Sequence, residues 1–247
     1  MQKNSDIFRR LIVLPVASLL LMANTAVDQA RELMGEGKEA EAFALIENAA
    51  QTGDAEAINY LAWFYDNGRH VEADAEAAMR LYREAAREGV AYAQWRLGVA
   101  IDKGETEGEL TQAVALFRAA AAQEFTNAMT SLAVMHATGR GTPVNAQAAR
   151  ELYFKAGQAG NAHAIRGIGV LYLHGEGVEA DPVEAAAYFL VSASRGNGEA
   201  RQAFEQTAEH FDQATFERAM ARAKEVGEIF GYTLSLEPAS EDEASTQ

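Results

Sequence analysis

Small and apolar side chains come along this chain in bursts of helical spacing, and the bursts themselves recur. Within 162–173, Ala164, Ile168, Gly169 and Tyr172 mark one face of a 3.6-residue helix. Within 182–195, Ala185, Tyr188, Phe189, Ser192 and Ala193 repeat that spacing. Between them lies a polar corner, Gly175-Glu176-Gly177-Val178-Glu179-Ala180-Asp181. The pattern predicts two helices joined by a short turn.

The pair is one copy of several. Gly53, Gly89, Glu124, Gly160 and Gly196 stand 35 or 36 residues apart. Four residues after the first four markers lie Ala57, Ala93, Ala128 and Ala164. Eight after lie Leu61, Leu97, Leu132 and Ile168, and fifteen after lie Gly68, Gly104, Gly139 and Gly175. Eight before the five markers lie Leu45, Leu81, Leu116, Leu152 and Tyr188. One helix pair cannot bury its apolar face alone, whereas a stack of pairs can. The chain is therefore expected to be all-α, an α-solenoid of stacked antiparallel helix pairs.

The last full unit carries Ala164, Ile168, Gly169, Tyr172, Gly175, Gly177, Val178, Asp181, Ala185, Tyr188 and Ala193. That pattern resembles the Sel1-like repeat, a relative of the tetratricopeptide repeat. The resemblance implies a right-handed superhelix and a role in holding proteins together. It is specific for fold and weak for function. The second unit departs from it, with Thr106 in place of the second corner glycine and Glu124 in place of the closing one. Its corner is expected to differ locally.

The ladder divides the chain into a truncated helical unit at 27–53, four repeats at 54–196, capping helices at 197–233 and a disordered acidic tail at 234–247. Residues 1–26 differ in kind. Lys3, Arg9 and Arg10 precede an apolar run, Leu11 to Met22, and then small residues. This is the layout of a secretory signal, too short for a confident transmembrane helix. A cut after Ala26 or after Ala23 fits imperfectly, so an uncleaved, membrane-tethering helix stays open. A cleaved signal implies a periplasmic or secreted protein, with the envelope of a Gram-negative bacterium as its setting. An uncleaved one implies an inner-membrane anchor.

Charge and composition narrow the partners. The formal net charge is −15, which argues against nucleic acid. Contact with a membrane is expected only through the amino-terminal segment. There is no cysteine, hence no disulfide and no thiolate ligand or nucleophile. The cysteine-rich members of the family described as β-lactamases are no guide here, since a Ser-x-x-Lys motif is absent as well.

The Gly-x-Gly corners invite comparison with phosphate loops, but a phosphate loop follows a strand. Here a helix precedes, so the glycines read as left-handed helix caps. Asp181 is expected to cap the next helix, with Pro182 at its first position and Glu184 completing a capping box. Asn145 and Asp74 hold the equivalent place in other units. His136 takes a place filled by Tyr65 and Tyr172 elsewhere, so it reads as a packed residue. No histidine has metal-ligand spacing, no catalytic motif is visible, and no cofactor is expected.

What remains is a stripe that the repeat leaves unconstrained, three and seven residues after each marker: Glu56 and Tyr60, Tyr92 and Arg96, Asn127 and Ser131, His163 and Gly167. Such a stripe tends to line the concave face of a solenoid. Tyr60, Trp63, Tyr92, Arg96 and His163 are therefore candidates for contact with a protein or peptide partner, Tyr and Arg being enriched at binding hot spots. The expectation is a non-enzymatic, exported interaction scaffold. A cell-envelope hydrolase and a membrane-tethered assembly factor remain the alternatives.

Overall fold

A computed structural model describes residues 25–234. The basic start, the run Leu11 to Met22 and residues 235–247 of the acidic tail lie outside the described residues. Among the described residues there are twelve helices and no strand. They are α1 (Ala26–Gly35), α2 (Glu39–Gln51), α3 (Ala55–Asn67), α4 (Ala75–Arg87), α5 (Ala91–Asp102), α6 (Leu110–Ala122), α7 (Thr126–Thr138), α8 (Ala146–Gln158), α9 (Ala162–His174), α10 (Pro182–Ser194), α11 (Gly198–Ala208) and α12 (Gln213–Ile229). The chain forms two compact units, Met1–Leu81 and Tyr82–Gln247, with the division inside α4.

In the first unit, α1, α2 and α3 pack as sequence neighbours. Their shared core is Val27, Ala30, Ala42, Ile46, Ala57 and Phe64. Alanine at the crossings lets helix axes approach while Ile46 and Phe64 fill the space between. Thr25 starts α1 with a full capping box: its hydroxyl accepts from the Asp28 N–H, and the Asp28 side chain accepts from the Thr25 N–H.

In the second unit α5 to α11 each pack on the next, while α12 returns past α11 onto α10. A column of aromatic side chains runs through the second helices: Tyr82, Phe117, Tyr153 and Phe189 are all buried. Each stands seven residues before a repeat marker. The first helices are thin where they meet it. A Cβ added at Gly98 would lie 2.7 Å from the Phe117 ring, and one at Gly169 would lie 2.6 Å from the Phe189 ring. Small residue against large ring is how these pairs interlock.

The corners follow one construction. Gly68, Gly139 and Gly175 end α3, α7 and α9 at φ of 61°, 72° and 71°, the left-handed region. The next helix is then capped by a side chain: Asp74 accepts from Ala77 N, Asn145 from Ala148 N, and Asp181 from Val183 N and Glu184 N. The capping residues' own N–H groups donate back across the corner, from Asp74 to the Tyr65 carbonyl (3.1 Å), Asn145 to that of His136 (2.8 Å) and Asp181 to that of Tyr172 (3.0 Å).

That last bond corrects one expectation. Glu184 does not complete a capping box, because the Asp181 N–H is already engaged by Tyr172. Glu184 turns away, and its Oε1 accepts from Arg222 Nε on α12 at 2.5 Å.

The corner of the second repeat differs, as its sequence predicts. Gly104 still takes φ of 72°, but Glu109 before α6 supplies no side-chain cap. Arg140 from the following corner braces it instead, reaching the Asp102 carbonyl at 3.0 Å and the Asp102 carboxylate at 2.8 Å. Glu124, replacing a glycine, is held at φ of 62°.

Candidate protein-interaction site

The candidate contact residues fall into separate groups. In the first unit, Tyr60 and Trp63 on α3 are three residues apart and stack, with ring centroids 5.4 Å apart and planes at 11°. Both are half-buried and lean on the Phe64 ring in the core. Burial pushes the Tyr60 phenol above its usual pKa, and the charges of Arg31 and Arg69 oppose it. Arg69 is itself paired with Glu39.

In the second unit, Tyr92 on α5 meets Trp95 edge-on at 5.5 Å and Phe125 at 6.1 Å. Trp95 and Phe125 are 5.8 Å apart, so the three rings form one half-buried cluster. Trp95 Nε1 donates to Ser131 Oγ at 3.1 Å, tying α5 to α7 across one repeat. Arg96 lies over the Tyr82 ring, 5.9 Å from its centroid, and pairs with Glu105 at 3.2 Å. Tyr92 and Arg96 are thus brought together around Tyr82.

His163, on α9, stands apart from that cluster. Asn197 Oδ1 accepts from Ala200 N, which caps α11 and turns the amide nitrogen toward His163 Nδ1 at 3.2 Å. The imidazole Nδ1 is therefore the acceptor, and His163 serves as a bond between repeats. Gly167, on the same stripe, is buried beneath the Tyr153 ring. Two positions seven after a marker thus face the aromatic column: Arg96 covers Tyr82 with a guanidinium, whereas Gly167 admits Tyr153 by having no side chain.

The other histidines have local roles. His70 adopts φ of 61°, with its ring 5.3 Å from Phe43. His136 is half-buried, and its Nδ1 has no hydrogen-bond partner among the described residues. No group of three or more His, Asp or Glu among the described residues is placed to hold a metal ion.

A groove between the second helices α8 and α10 and the first helix α9 does not follow from the repeat pattern. Its volume is about 440 Å³, and its lining includes Arg150, Phe154 and Lys155 of α8, Ile168 and Tyr172 of α9, and Tyr188 of α10. Tyr172 and Tyr188 stack at 5.6 Å and 15°. Phe230, just past α12, packs on Phe154 at 5.3 Å and on Tyr188 at 6.2 Å. Burial raises the Tyr188 phenol to about 12, with the Tyr172 hydroxyl and Glu184 adding to the shift and Arg222 and Arg150 opposing it.

Helix pairs, corner glycines and period are together diagnostic of one repeat family. The family profile described as Sel1 repeat matches four times in succession, at residues 55–90, 91–125, 126–161 and 162–197. The chain belongs to the Sel1 repeat family. Solved structures agree on the fold. A Sel1 repeat protein from Oxalobacter formigenes is 28% identical with a TM-score of 0.68, over 83% of this chain and 84% of that one. A protective antigen of uropathogenic Escherichia coli with an SLR fold has a TM-score of 0.74 at 24% identity over 88% of this chain. This chain spans 51% of that antigen's length. A Sel1 repeat protein from Klebsiella pneumoniae subsp. pneumoniae has a TM-score of 0.50 at 20% identity, over 74% of this chain and 91% of that one. A search of curated proteins finds no relative. A Sel1 repeat array is a scaffold of the protein–protein interaction kind.

Proposed function

We propose that this chain is an exported, non-enzymatic scaffold that holds a partner protein or peptide on the first-helix face of its repeats. The observation that carries this reading is the half-buried ring cluster of Tyr92, Trp95 and Phe125. Rings that are fixed by one another and still half in water offer contact area at little entropic cost, the property of interface anchors. Tyr60 stacked on Trp63 gives the first unit a comparable anchor. Incorporating a photo-crosslinking phenylalanine analogue at Tyr92, and separately at exposed Arg118 on the second helix α6, tests it in the native envelope. A partner is expected on the first and not the second. Equal or no capture at Tyr92 sinks the reading.

Export rests on the layout of residues 1–26. The capping box at Thr25 supports a cut on its amino-terminal side, after Ala23, because a cut after Ala26 removes the cap. Intact-mass measurement of the envelope protein is expected to give a chain starting at Asn24. A full-length mass favours the tethered alternative. Among the described residues no helix is long and apolar enough to cross a membrane.

A further inference from the structure

The groove between α8, α9 and α10 combines three properties. Its floor is apolar and aromatic, with Phe154, Ile168, Tyr172 and Tyr188. Its rim is cationic, with Arg150 and Lys155 against the single acid Glu151, in a chain whose formal charge is −15. These cations are also available. Arg150 is exposed and makes no hydrogen bond or ion pair among the described residues. Lys155 meets Glu124 at 3.3 Å, but those side chains are 60% and 77% exposed, and such a pair exchanges readily for a better acid. Glu151 is engaged by the Gln147 amide at 3.0 Å.

The complementary segment lies in the same chain. Residues 235–247 carry Glu237, Glu241, Asp242 and Glu243, no lysine or arginine, and the apolar Leu236. Phe230, a few residues before this segment, already packs on two groove residues, Phe154 and Tyr188. An extended chain of that length reaches on the order of 40 Å. We propose that residues 235–247 occupy the α8–α10 groove in cis, Leu236 against the aromatic floor and the carboxylates on Arg150 and Lys155. The groove is then a docking site for acidic, apolar-anchored peptide, and its own tail is the resident occupant. The proposal is independent of the Tyr92 cluster, whose rings lie on α5 and at the start of α7 and share no residue with the groove.

The test uses the full chain. In a variant with the tail neutralised (E237Q, E241Q, D242N, E243Q), a labelled synthetic peptide of residues 235–247 is expected to bind. At a dissociation constant of about 100 µM, a tethered tail at an effective concentration of about 1 mM weakens binding to the native chain about tenfold. Reversing the rim (R150E with K155E) in the neutralised-tail chain is expected to weaken the peptide by at least about tenfold, and raised salt to act likewise. The lack of cysteine allows a single nitroxide at Ser240→Cys. Paramagnetic broadening at Phe154, Ile168 and Tyr172 supports the proposal. Broadening instead at Ala193 and Phe204, which line the separate cavity beside Gly231–Leu234, overturns it. So does broadening that appears only between molecules, which puts the tail on a second copy, and so does equal peptide binding to all variants.

Discussion

Arg222 on α12 donates through Nε to Glu184 Oε1 on α10 at 2.5 Å, and through Nη1 to Glu225 Oε2 at 2.6 Å. The two carboxylates hold the guanidinium in its charged form and raise its pKa further. The pair joins the last helix to the last repeat. The second oxygen of Glu184 is buried with no hydrogen-bond partner among the described residues. Arg222→Ala therefore leaves a largely buried carboxylate with no cation, at a loss of roughly 2 kcal/mol. Arg222→Lys recovers charge without the fork and is expected to fall between. Urea melts of the three proteins check the order, and an unchanged midpoint in Arg222→Ala refutes the role.

Gly169→Ala is expected to destabilise by roughly 1–3 kcal/mol. The new methyl would meet Phe189 carbons at 2.6 and 2.7 Å and the Ala185 carbonyl oxygen at 3.1 Å. The ring is buried and cannot retreat. Adding Phe189→Leu is expected to recover part of the loss, which a double-mutant cycle measures. Additive losses would exclude the ring as the cause.

Glu124→Gly is expected to stabilise the fold. Glu124 stands at φ of 62°, where the neighbouring repeats end on Gly89 and Gly160. The left-handed conformation costs a side-chain-bearing residue about 1–2 kcal/mol, and glycine's greater freedom when unfolded returns part of that. A net gain of about 0.5–1 kcal/mol is the expected balance, since the exposed pair with Lys155 contributes little. A lower Tm for Glu124→Gly would contradict it.

The buried phenols make stability fall at high pH. Burial raises Tyr153 to about 12, with Glu176 adding to the shift and Arg166 opposing it, and Tyr188 also stands at about 12. Unfolded, both ionise near 10, so between 10 and 12 the unfolded chain binds fewer protons than the folded one. The stabilisation is complete below pH 10 and drains away as pH rises toward 12. Tyr153→Phe is expected to flatten the decline, and absorbance titration at 295 nm checks it directly.

The fold was legible because its signals are chemical as well as periodic. Glycine fifteen residues after a marker and Asp or Asn before the next helix each perform one backbone task, and Gly175 with Asp181 perform theirs as the letters imply. The aromatic column leaves a weaker trace in the sequence. Tyr82, Phe117, Tyr153 and Phe189 alternate in polarity and sit one place beyond the more uniform leucine ladder. The stripe seven after a marker looks unconstrained because Arg96 and Gly167 share no chemistry, yet these two answer the same column. Phe154 and Tyr188 of the groove are packed by Phe230 from beyond the end of the repeat pattern, so comparison of copies does not bring out that support. Spacing assigns Glu184 to its nearest helix end, while its partner is Arg222 on another helix.

The corner bonds from Asp74, Asn145 and Asp181 run to carbonyl oxygens of Tyr65, His136 and Tyr172. Their acceptors are main chain, so the side chain at the accepting position is left out of the joint. A tyrosine, a histidine and another tyrosine already occupy that place without disturbing it. Evolution can therefore redecorate each joint one residue at a time, and an engineer can write new chemistry there while the stack keeps its shape.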